Sequence, residues 1–400
     1  MTQDAGKIID EMKKDALAEL TGSILPFWMT KMVDDHRGGF YGRIDGEDNI
    51  IADAPKGAIL NARILWSFSA AYEMIKDPEY LNTATGARDY ILANFFDEKN
   101  GGSYWSLAAD GTPLDTKKQI YSQAFLIYAL SQYFIVTGDI VSRDKAIELY
   151  NLIEKYSFDK ELNGYFEAYD REWHLLEDLR LSDKDANEKK TMNTHLHILE
   201  AYTNLYRIWP DYGLHKQLRN LIILFVEKII DETTGHLNLF FDETWKCKST
   251  MYSYGHDIES SWLLYEAALV LNDDDVIDMV TPVALKVARA AAEGLQPDST
   301  MIYEWDKANG HTDRDRHWWV QAETVVGYIN AWELSGNEAW LDTARKCLSF
   351  IQDKLVDRKN GEWHWSIRDD GTVNRTDDKA GFWKCPYHNS RMCLEILKRG

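Results

Sequence analysis

Histidine is the residue type whose placement in this sequence most clearly indicates chemistry. His197, His256 and His388 each stand near the start of a stretch with helical periodicity. Histidine gains and loses a proton near neutral pH, so histidines that meet in one cavity can remove a proton from a substrate and return it. The three residues therefore predict a cavity in which proton transfer takes place.

A fourth histidine, His195, precedes His197 by two positions. Two residues apart on a helix means about 200° of rotation, so the two rings diverge. This spacing disfavours a metal site built from both rings, and the four cysteines show no metal-binding spacing either. We expect His197 to face the cavity together with Asn193, and His195 to have a structural, hydrogen-bonded role.

The other two histidines have informative neighbours. Glu259 follows His256 by three positions and shares its helix face, so the carboxylate could orient the imidazole and stabilise its protonated form. His388 follows Pro386 at the start of the last helix, where the helix dipole favours a neutral ring. Two histidines on opposite faces of a carbon next to a carbonyl could epimerise that carbon.

Such a reaction also needs groups that hold the substrate and stabilise the negative charge that develops on it. Polar side chains in the same helical phase could bind the carbonyl oxygen and stabilise an enediolate: Arg63, Tyr121 and Asn193. Tryptophans could form flat walls for sugar rings: Trp305, Trp319 and Trp383. Most of the 15 tryptophans and 21 tyrosines are nevertheless expected to fill the core.

This polar phase recurs about every 60–70 residues, at the start of every second predicted helix. Glycine–aromatic segments such as Gly101–Trp105 precede most of these helices and predict short hairpins. Apolar periodicity predicts about twelve helices, at 4–24, 58–76, 80–96, 118–137, 142–156, 191–208, 213–231, 254–272, 276–293, 318–335, 338–355 and 386–398.

Repeated helix pairs must stack, because one pair cannot bury both of its faces. The first and last helices complete a pair across the termini, and the polar phases would all point to one central mouth. We therefore predict an all-α fold, an (α/α)6 barrel with short hairpins or turns between helix pairs. No linker or low-complexity stretch divides the chain, so residues 1–400 are expected to form a single catalytic domain.

Composition excludes several classes of function. The net charge of −20 disfavours binding to nucleic acid or to an anionic membrane. The N-terminal segment has no apolar signal region, and no apolar run reaches membrane-spanning length. Because the cysteines are few, we expect a cytoplasmic protein. The charged segment 170–190 precedes the His197 helix and is either a solvated loop or a lid over the cavity.

Several motifs together resemble the cellobiose 2-epimerases of the N-acylglucosamine 2-epimerase superfamily, and the resemblance extends over essentially the whole chain. The motifs lie at residues 61–63, 121–123, 193–202, 253–259, 316–319 and 383–389. The resemblance implies an (α/α)6 barrel that epimerises the reducing-end glucose of β-1,4-linked disaccharides to mannose, without a cofactor and as a monomer.

By the same similarity, His256 and His388 match the acid/base pair at carbon 2, and His197 matches a third essential histidine. The remaining matches are residues that bind the sugar or support the site: Arg63, Tyr121, Asn193, Glu259, Trp305, Trp319 and Trp383. Which of the two acid/base histidines acts on which epimer stays open.

Three alternatives remain at this stage. The same histidines would serve an N-acylglucosamine 2-epimerase or a mannose or other aldose–ketose isomerase. An inverting glycoside hydrolase would need two carboxylates about 6.5–9.5 Å apart, for which Glu259, Glu304 and Asp306 are candidates. A sugar-binding protein without activity would explain the aromatic residues but not the three histidines.

Overall fold

The computed structural model describes residues 3–399, which fold into α-helices joined by short strands and turns. The helices are α1 (Gln3–Glu19), α2 (Leu25–Thr30), α3 (Ala58–Ile75), α4 (Pro78–Asn94), α5 (Ile120–Thr137), α6 (Ile140–Tyr156), α7 (Met192–Ile208), α8 (Tyr212–Leu224), α9 (Tyr254–Leu271), α10 (Asp274–Ala291), α11 (Trp318–Ser335), α12 (Glu338–Phe350) and α13 (Tyr387–Lys398). A π-helical turn, Leu20–Ile24, joins α1 to α2, and similar turns extend α8 (Phe225–Ile229) and α12 (Ile351–Leu355).

Six helices form a closed inner ring. Helices α3, α5, α7, α9, α11 and α13 each pack against the next, and α13 packs against α3. Each inner helix also packs against one outer helix, and α1 is the outer partner of α13. The predicted (α/α)6 barrel, with its pair formed by the first and last helices, is confirmed.

Inner and outer helices differ in how much of their surface they bury. The first fourteen residues of α3 are all buried, as are those of α5, because these helices touch neighbours on every side. The outer helix α4 buries only Tyr80, Ala84, Ala87 and Ile91, one residue per turn. A single apolar stripe is what a helix with one solvent face requires. On a helix that is buried on every side, polar residues stand out in the sequence. The inner helices could therefore be recognised by the polar residues at their starts.

The two ends of the barrel are built differently. At the rear end, the inner helices α3, α5, α7, α9 and α11 each pass to the outer partner through a very short connection, and an Asp or Asn side chain caps that outer helix. The caps are Asp77, Asp139, Asp211, Asp273 and Asn337. Such side chains accept hydrogen bonds from backbone N–H groups that the first helical turn leaves free. Because the rear turns are tight, the longer connections all lie at the front end of the barrel.

All of the strands lie in the front connections. They are β1 (Lys56–Gly57), β2 (Ser106–Leu107), β3 (Pro113–Asp115), β4 (Lys118–Gln119), β5 (Ala168–Tyr169), β6 (Lys190–Thr191), β7 (Phe240–Phe241), β8 (Met251–Ser253), β9 (Glu304–Asp306), β10 (His311–Asp313), β11 (Arg316–His317) and β12 (Ser366–Ile367). They pair antiparallel as β1–β2–β3, β8–β9–β10, β4–β5, β6–β7 and β11–β12. These ladders surround the N-terminal ends of the inner helices.

A buried ion pair recurs in the front connections. A lysine binds the aspartate of a tight turn, and the pairs are Lys56–Asp34, Lys118–Asp97, Lys190–Asp159 and Lys379–Asp357. The lysines are 0–2% exposed, so each ammonium depends on its carboxylate and on nearby carbonyl groups for solvation. The pairs fix each turn against the helix that follows it.

Over residues 3–399, none of the helices combines the length and the hydropathy needed to cross a lipid bilayer. The thiols of Cys347, Cys385 and Cys393 are buried and that of Cys247 is exposed, and all of them are free.

Candidate active site

The predicted histidines come together at the N-terminal ends of inner helices. His197 lies on α7, His256 on α9 and His388 on α13. The ring of Trp319, on α11, lies 4.8 Å from the ring of His256 and 5.5 Å from that of His388, measured between centroids. The closed ring of helices therefore places two histidines from distant parts of the chain around one tryptophan.

A carboxylate holds the ring of His388. Its Nδ1 lies 2.7 Å from Oε1 of Glu323, which is fully buried on α11. An ionised carboxylate can only accept, so Nδ1 carries the hydrogen and Nε2 is left with a lone pair. Burial lowers the pKa of His388 to about 3, although Glu323 opposes this shift. The ring is therefore neutral at pH 7, as a general base requires.

His256 is held by a hydroxyl group, not by a carboxylate. Its Nδ1 lies 2.7 Å from Oγ of Ser253, the last residue of β8. The expected pairing of His256 with Glu259 is wrong, because Glu259 binds Arg391 of α13 at 2.5 Å. A fixed guanidinium charge attracts the carboxylate more strongly than a neutral ring does. Burial lowers the pKa of His256 to about 3.

His197 has the carboxylate partner that was expected for His256. Its Nδ1 lies 3.0 Å from Oε2 of Glu200, three residues along α7. Burial lowers the pKa of His197, again against the effect of the carboxylate. The ring packs on Tyr121, 4.9 Å away between centroids, and on Phe125 at 4.7 Å. His197 thus lines the side of the site where α5 meets α7.

His195 points away from the site, as its spacing from His197 predicts. It is fully buried, with Nδ1 2.7 Å from the carbonyl oxygen of Thr191 and Nε2 accepting the N–H of Tyr165 at 2.9 Å. Gln123 and Gln321 accept a backbone N–H from the corresponding turn in two other repeats. The expected hydrogen bonding of His195 is confirmed, and its place in the repeat is structural.

Arg391 connects the groups behind the histidines. One guanidinium nitrogen contacts Glu259 at 2.5 Å and Glu323 at 2.6 Å, and the other contacts Glu200 and the hydroxyl of Tyr387. Although burial opposes ionisation, Arg391 and His388 lower the pKa of Glu323. Burial and repulsion from Glu323 raise the pKa of Glu259. The arginine thereby holds three carboxylates in one network.

Arg63 forms the opposite, aromatic side of the site. Its guanidinium donates to the hydroxyl of Tyr121 at 2.9 Å and to the carbonyl of Trp383 at 3.4 Å. The guanidinium carbon lies 4.1 Å from the ring centroid of Phe125. The rings of Tyr121 and Trp383 lie 6.1 Å apart. Arg63 is therefore held by aromatic rings and uncharged hydrogen-bond acceptors, which do not neutralise its positive charge.

The remaining predicted residues occupy two different places. Asn193 begins α7, and its buried Oδ1 has no hydrogen-bond partner among the described residues. An unpaired buried acceptor is costly unless a ligand or water binds it. Trp305 lies farther out, on β9, with its ring 5.5 Å from that of Tyr252. Asn193 thus offers an acceptor close to His197, whereas Trp305 belongs to the front hairpins.

Sequence reasoning gave no role to several residues that the structure places in the site: Ser253, Glu200, Glu323, Tyr387 and Arg391. A signal for two of them was available. Glu200 follows His197 by three positions and Arg391 follows His388 by three, the same spacing that drew attention to Glu259. Glu323 has no such local signal, because its partner lies on another helix.

Segment 170–190 forms an irregular connection between β5 and β6. It is attached to the barrel at several points, among them an ion pair between Arg171 and Asp97 at 2.9 Å. Trp173 is buried, stacks on Tyr156 with centroids 4.7 Å apart, and donates to the carbonyl of Asn100. The buried Leu179 accepts from Gln119 through its carbonyl. Between these attachments and β6, most residues are partly or fully exposed.

Among residues 3–399, two groups of side chains have the spacing of metal ligands. One consists of Glu259, Glu323 and His388, whose ligand atoms lie within 4.8 Å of one another. The guanidinium of Arg391 already contacts both carboxylates of this group, and its positive charge opposes a metal ion there. The other group is Asp313, Asp315 and His317 near β10 and β11. The first group is thus better suited to proton transfer, and the absence of a cofactor stays a prediction.

Known proteins resemble this chain over nearly its full length. The N-acylglucosamine 2-epimerase (GlcNAc 2-epimerase) family matches residues 39–391. A cellobiose 2-epimerase of Bacteroides fragilis is 56% identical over 96% of this chain and 98% of its own, and one of Dictyoglomus turgidum is 37% identical over 97% and 98%. The solved cellobiose 2-epimerase of Bacillus thermoamylovorans superposes with a TM-score of 0.94 at 40% identity, over 98% of this chain and all of the other.

Proposed function

The chain belongs to the N-acylglucosamine 2-epimerase family, and from that membership we propose that it is a cellobiose 2-epimerase. Its relatives from B. fragilis and D. turgidum bear that name, and their identity extends over almost the whole of each chain. The enzyme is a carbohydrate isomerase that converts the reducing-end glucose of cellobiose or lactose to mannose by inverting carbon 2.

One observation carries this proposal: two histidines from different inner helices, His256 and His388, both pack against the ring of Trp319. Inversion at a carbon next to a carbonyl requires a base on one face and an acid on the other. With the sugar ring opened, one histidine takes the carbon 2 proton and the bonding electrons pass into a cis-enediolate. The other histidine enters the step protonated: after rotation about the carbon 2–carbon 3 bond it delivers its proton to the opposite face and becomes neutral, so the two histidines exchange protonation states.

The partners of the two histidines suit both directions of this reaction. Glu323 holds Nδ1 of His388, so Nε2 faces the sugar and the carboxylate stabilises the imidazolium that forms. The Ser253 hydroxyl can donate to Nδ1 of His256 or accept from it. His256 can therefore change between neutral and protonated forms without losing its hydrogen bond.

The enediolate needs a positive charge and hydrogen-bond donors close to its oxygens. Arg63 supplies the charge, and its contact with Tyr121 fixes both groups at the aromatic side of the site. The unpaired amide oxygen of Asn193 can accept a hydrogen bond from a sugar hydroxyl. His197, backed by Glu200, is placed to move the proton that ring opening requires. For each of these residues, the proposed role develops the one predicted from the sequence.

The aromatic residues define where the sugar rings lie. We assign Trp319 and Trp383 to the reacting ring, because each lies beside a proposed catalytic or charge-stabilising residue. Trp305, on the outer hairpin, is assigned to the second ring of the disaccharide. Segment 170–190 is proposed to act as a lid. Glu259 is assigned a supporting role behind the histidines, which it exerts through Arg391.

The buried carboxylates behind the histidines are unsuited to hydrolysis, and the other two candidates, Glu304 and Asp306, lie outside this network on β9. An inverting glycosidase needs one free acid and one free base on either side of the glycosidic bond. Glu259 and Glu323 are instead both bound to Arg391 and are at most 1% exposed. An N-acylglucosamine 2-epimerase or a mannose isomerase would use the same histidines. Only the preferred substrate distinguishes these two enzymes from a disaccharide epimerase.

Proton NMR of cellobiose incubated with the metal-free protein in deuterated water tests the proposal. We expect a mannose anomeric signal to appear while deuterium enters carbon 2. Free glucose would instead indicate hydrolysis. Reaction of N-acetylmannosamine or mannose, with cellobiose unchanged, would transfer the assignment to another branch of the family.

We further propose that residues 1–400 act as one catalytic domain, as a monomer in the cytoplasm. Four free thiols suit a reducing compartment. Light scattering coupled to gel filtration measures the mass directly, and a mass near 46.3 kDa supports the monomer.

A further inference from the structure

A second cavity opens at the rear end of the barrel, opposite the proposed sugar-binding end. It has a volume of about 260 Å³. Its rim carries exposed charged side chains, Glu73, Arg207 and Lys398. Its floor is formed by Glu200 and Arg391, which are only 3% and 1% exposed. The cavity therefore runs from solvent to the back of the network that holds the catalytic histidines.

The walls between rim and floor are polar. Gln132 and Asn204 line this part of the cavity and are 6% and 5% exposed. Asn204 donates to the carbonyl of Tyr128 at 3.0 Å, and Gln132 donates to Glu73 at 2.6 Å. Near the rim, Arg207 pairs with Glu266 at 2.8 Å, and both residues also line an outer groove. Polar side chains are thus present at each level of the cavity, from the floor to the surface.

Two buried donors show what fills this space. Nε1 of Trp66 and Nε of Arg391 both belong to cavity-lining residues, and neither has a hydrogen-bond partner among residues 3–399. Buried polar groups are almost always bound to protein or to ordered water. A polar cavity of this size accommodates several water molecules, whereas an apolar one stays dry. Water that enters the cavity would satisfy these donors and hydrate the floor.

Glu200 is the residue that touches both sides of the floor. It lines the rear cavity, and its Oε2 contacts Nδ1 of His197 at 3.0 Å on the catalytic side. The arginine beside it cannot relay protons, because a guanidinium does not deprotonate in proteins. A proton that moves between the site and the rear cavity must therefore pass through the Glu200 carboxylate.

We propose that the rear cavity is a water-filled proton route that connects His197, through Glu200, with bulk solvent while a sugar fills the front of the barrel. Protonated His197 gives its Nδ1 proton to Glu200, which passes it to a cavity water. The ring is left neutral with its hydrogen on Nε2, Glu200 is ionised again, and the proton leaves past Glu266 and Glu395. The route lets His197 reset while the substrate is bound.

The inference rests on the proposed function insofar as a sugar must occupy the front. The test therefore uses cellobiitol, the reduced disaccharide, which cannot open or epimerise. Protein labelled with ¹⁵N-histidine gives a ring N–H signal for His197, assigned by its loss in His197→Gln. Exchange of this hydrogen with water is measured with cellobiitol bound.

The decisive variants are Asn204→Leu and Gln132→Leu, each of which makes the middle of the cavity apolar. In either variant we expect exchange of the His197 N–H in the sugar complex to slow by about tenfold or more, because an apolar passage excludes water. Asn330→Leu is the matched control, since Asn330 is a buried asparagine in the C-terminal half of an inner helix, outside the cavity lining. It should exchange as the wild-type protein does.

Unchanged exchange in a folded Asn204→Leu or Gln132→Leu protein, with cellobiitol bound, would overturn the route and leave the epimerase assignment intact. If cellobiitol shifts none of the labelled histidine signals, the proposed function fails, and the route as stated fails with it. The thermal unfolding midpoint of each variant shows whether it is folded.

Discussion

Glu323 and His388 are separated by 65 positions in the chain, yet Oε1 of the glutamate lies 2.7 Å from Nδ1 of the histidine. The same oxygen contacts Arg391 at 2.6 Å. One carboxylate thus sets the tautomer of a proposed base and neutralises the arginine behind it. Its substitution should affect chemistry more than sugar binding.

Replacing Glu323 by Gln should lower kcat by about 100-fold or more, with a much smaller change in KM. The amide no longer fixes the Nδ1–H tautomer or stabilises the imidazolium, and losses of this order accompany comparable changes in catalytic triads. Steady-state kinetics with cellobiose measure both constants. Glu19→Gln is the control, because Glu19 is another buried glutamate but pairs with Trp363 and Arg358. Equal losses in the two variants would contradict the assignment.

Replacing either His256 or His388 by Asn should abolish epimerisation but preserve proton exchange at carbon 2 of one epimer. The base that remains can still take the carbon 2 proton from one epimer and return a solvent hydron to the same face. In deuterated water, one variant should exchange the carbon 2 hydrogen of cellobiose and the other that of glucosyl-mannose. Near-normal epimerisation by either variant would remove that residue from the acid/base pair.

Replacing Asn193 by Ala should separate function from stability. Its buried Oδ1 makes no hydrogen bond within the described residues, so the folded protein loses no partner for that atom. The free energy of unfolding should therefore stay the same or rise, whereas kcat/KM should fall by about tenfold through a lost contact with the sugar. Thermal unfolding and kinetics on the same preparations test both halves. A large drop in the unfolding midpoint would show a structural role instead.

Replacing His195 by Gln should preserve activity and reduce the sensitivity of the fold to acid. Gln123 and Gln321 already make the corresponding hydrogen bond in other repeats. Burial lowers the pKa of His195 from 6.5 to about 4 in the folded protein. As pH falls from 6.5, the unfolded chain takes up the proton first, so the folded state loses stability until about pH 4.

That loss amounts to at most about 3 kcal/mol for this one residue, given 1.36 kcal/mol for each pH unit. Glutamine does not titrate, so the difference in unfolding free energy between the variant and the wild-type protein should grow in favour of the variant between pH 6.5 and 4. Denaturant unfolding at several pH values measures it. A difference that is constant with pH would show that His195 does not titrate on unfolding.

The sequence alone determined the helices and their repeat. Burial of one residue per turn in the outer helices, as in α4, and a polar start to each inner helix are local patterns, and both are legible in one dimension. The closed ring followed from the number of helix pairs and from their shared polar phase, because a ring lets the polar starts of all inner helices face one cavity. The divergence of His195 from His197 required only the helical rotation between them.

Only the tertiary structure decided which charges meet. Arg391 binds Glu200, Glu259 and Glu323, which lie 191, 132 and 68 positions away. No local spacing predicts such contacts, because they arise when the last helix closes the ring and brings α7, α9 and α11 against α13. The pairing of Glu259 with His256 was wrong for the same reason. Helix geometry determines which side chains share a face, whereas the stronger charge on a neighbouring helix determines which of them bind.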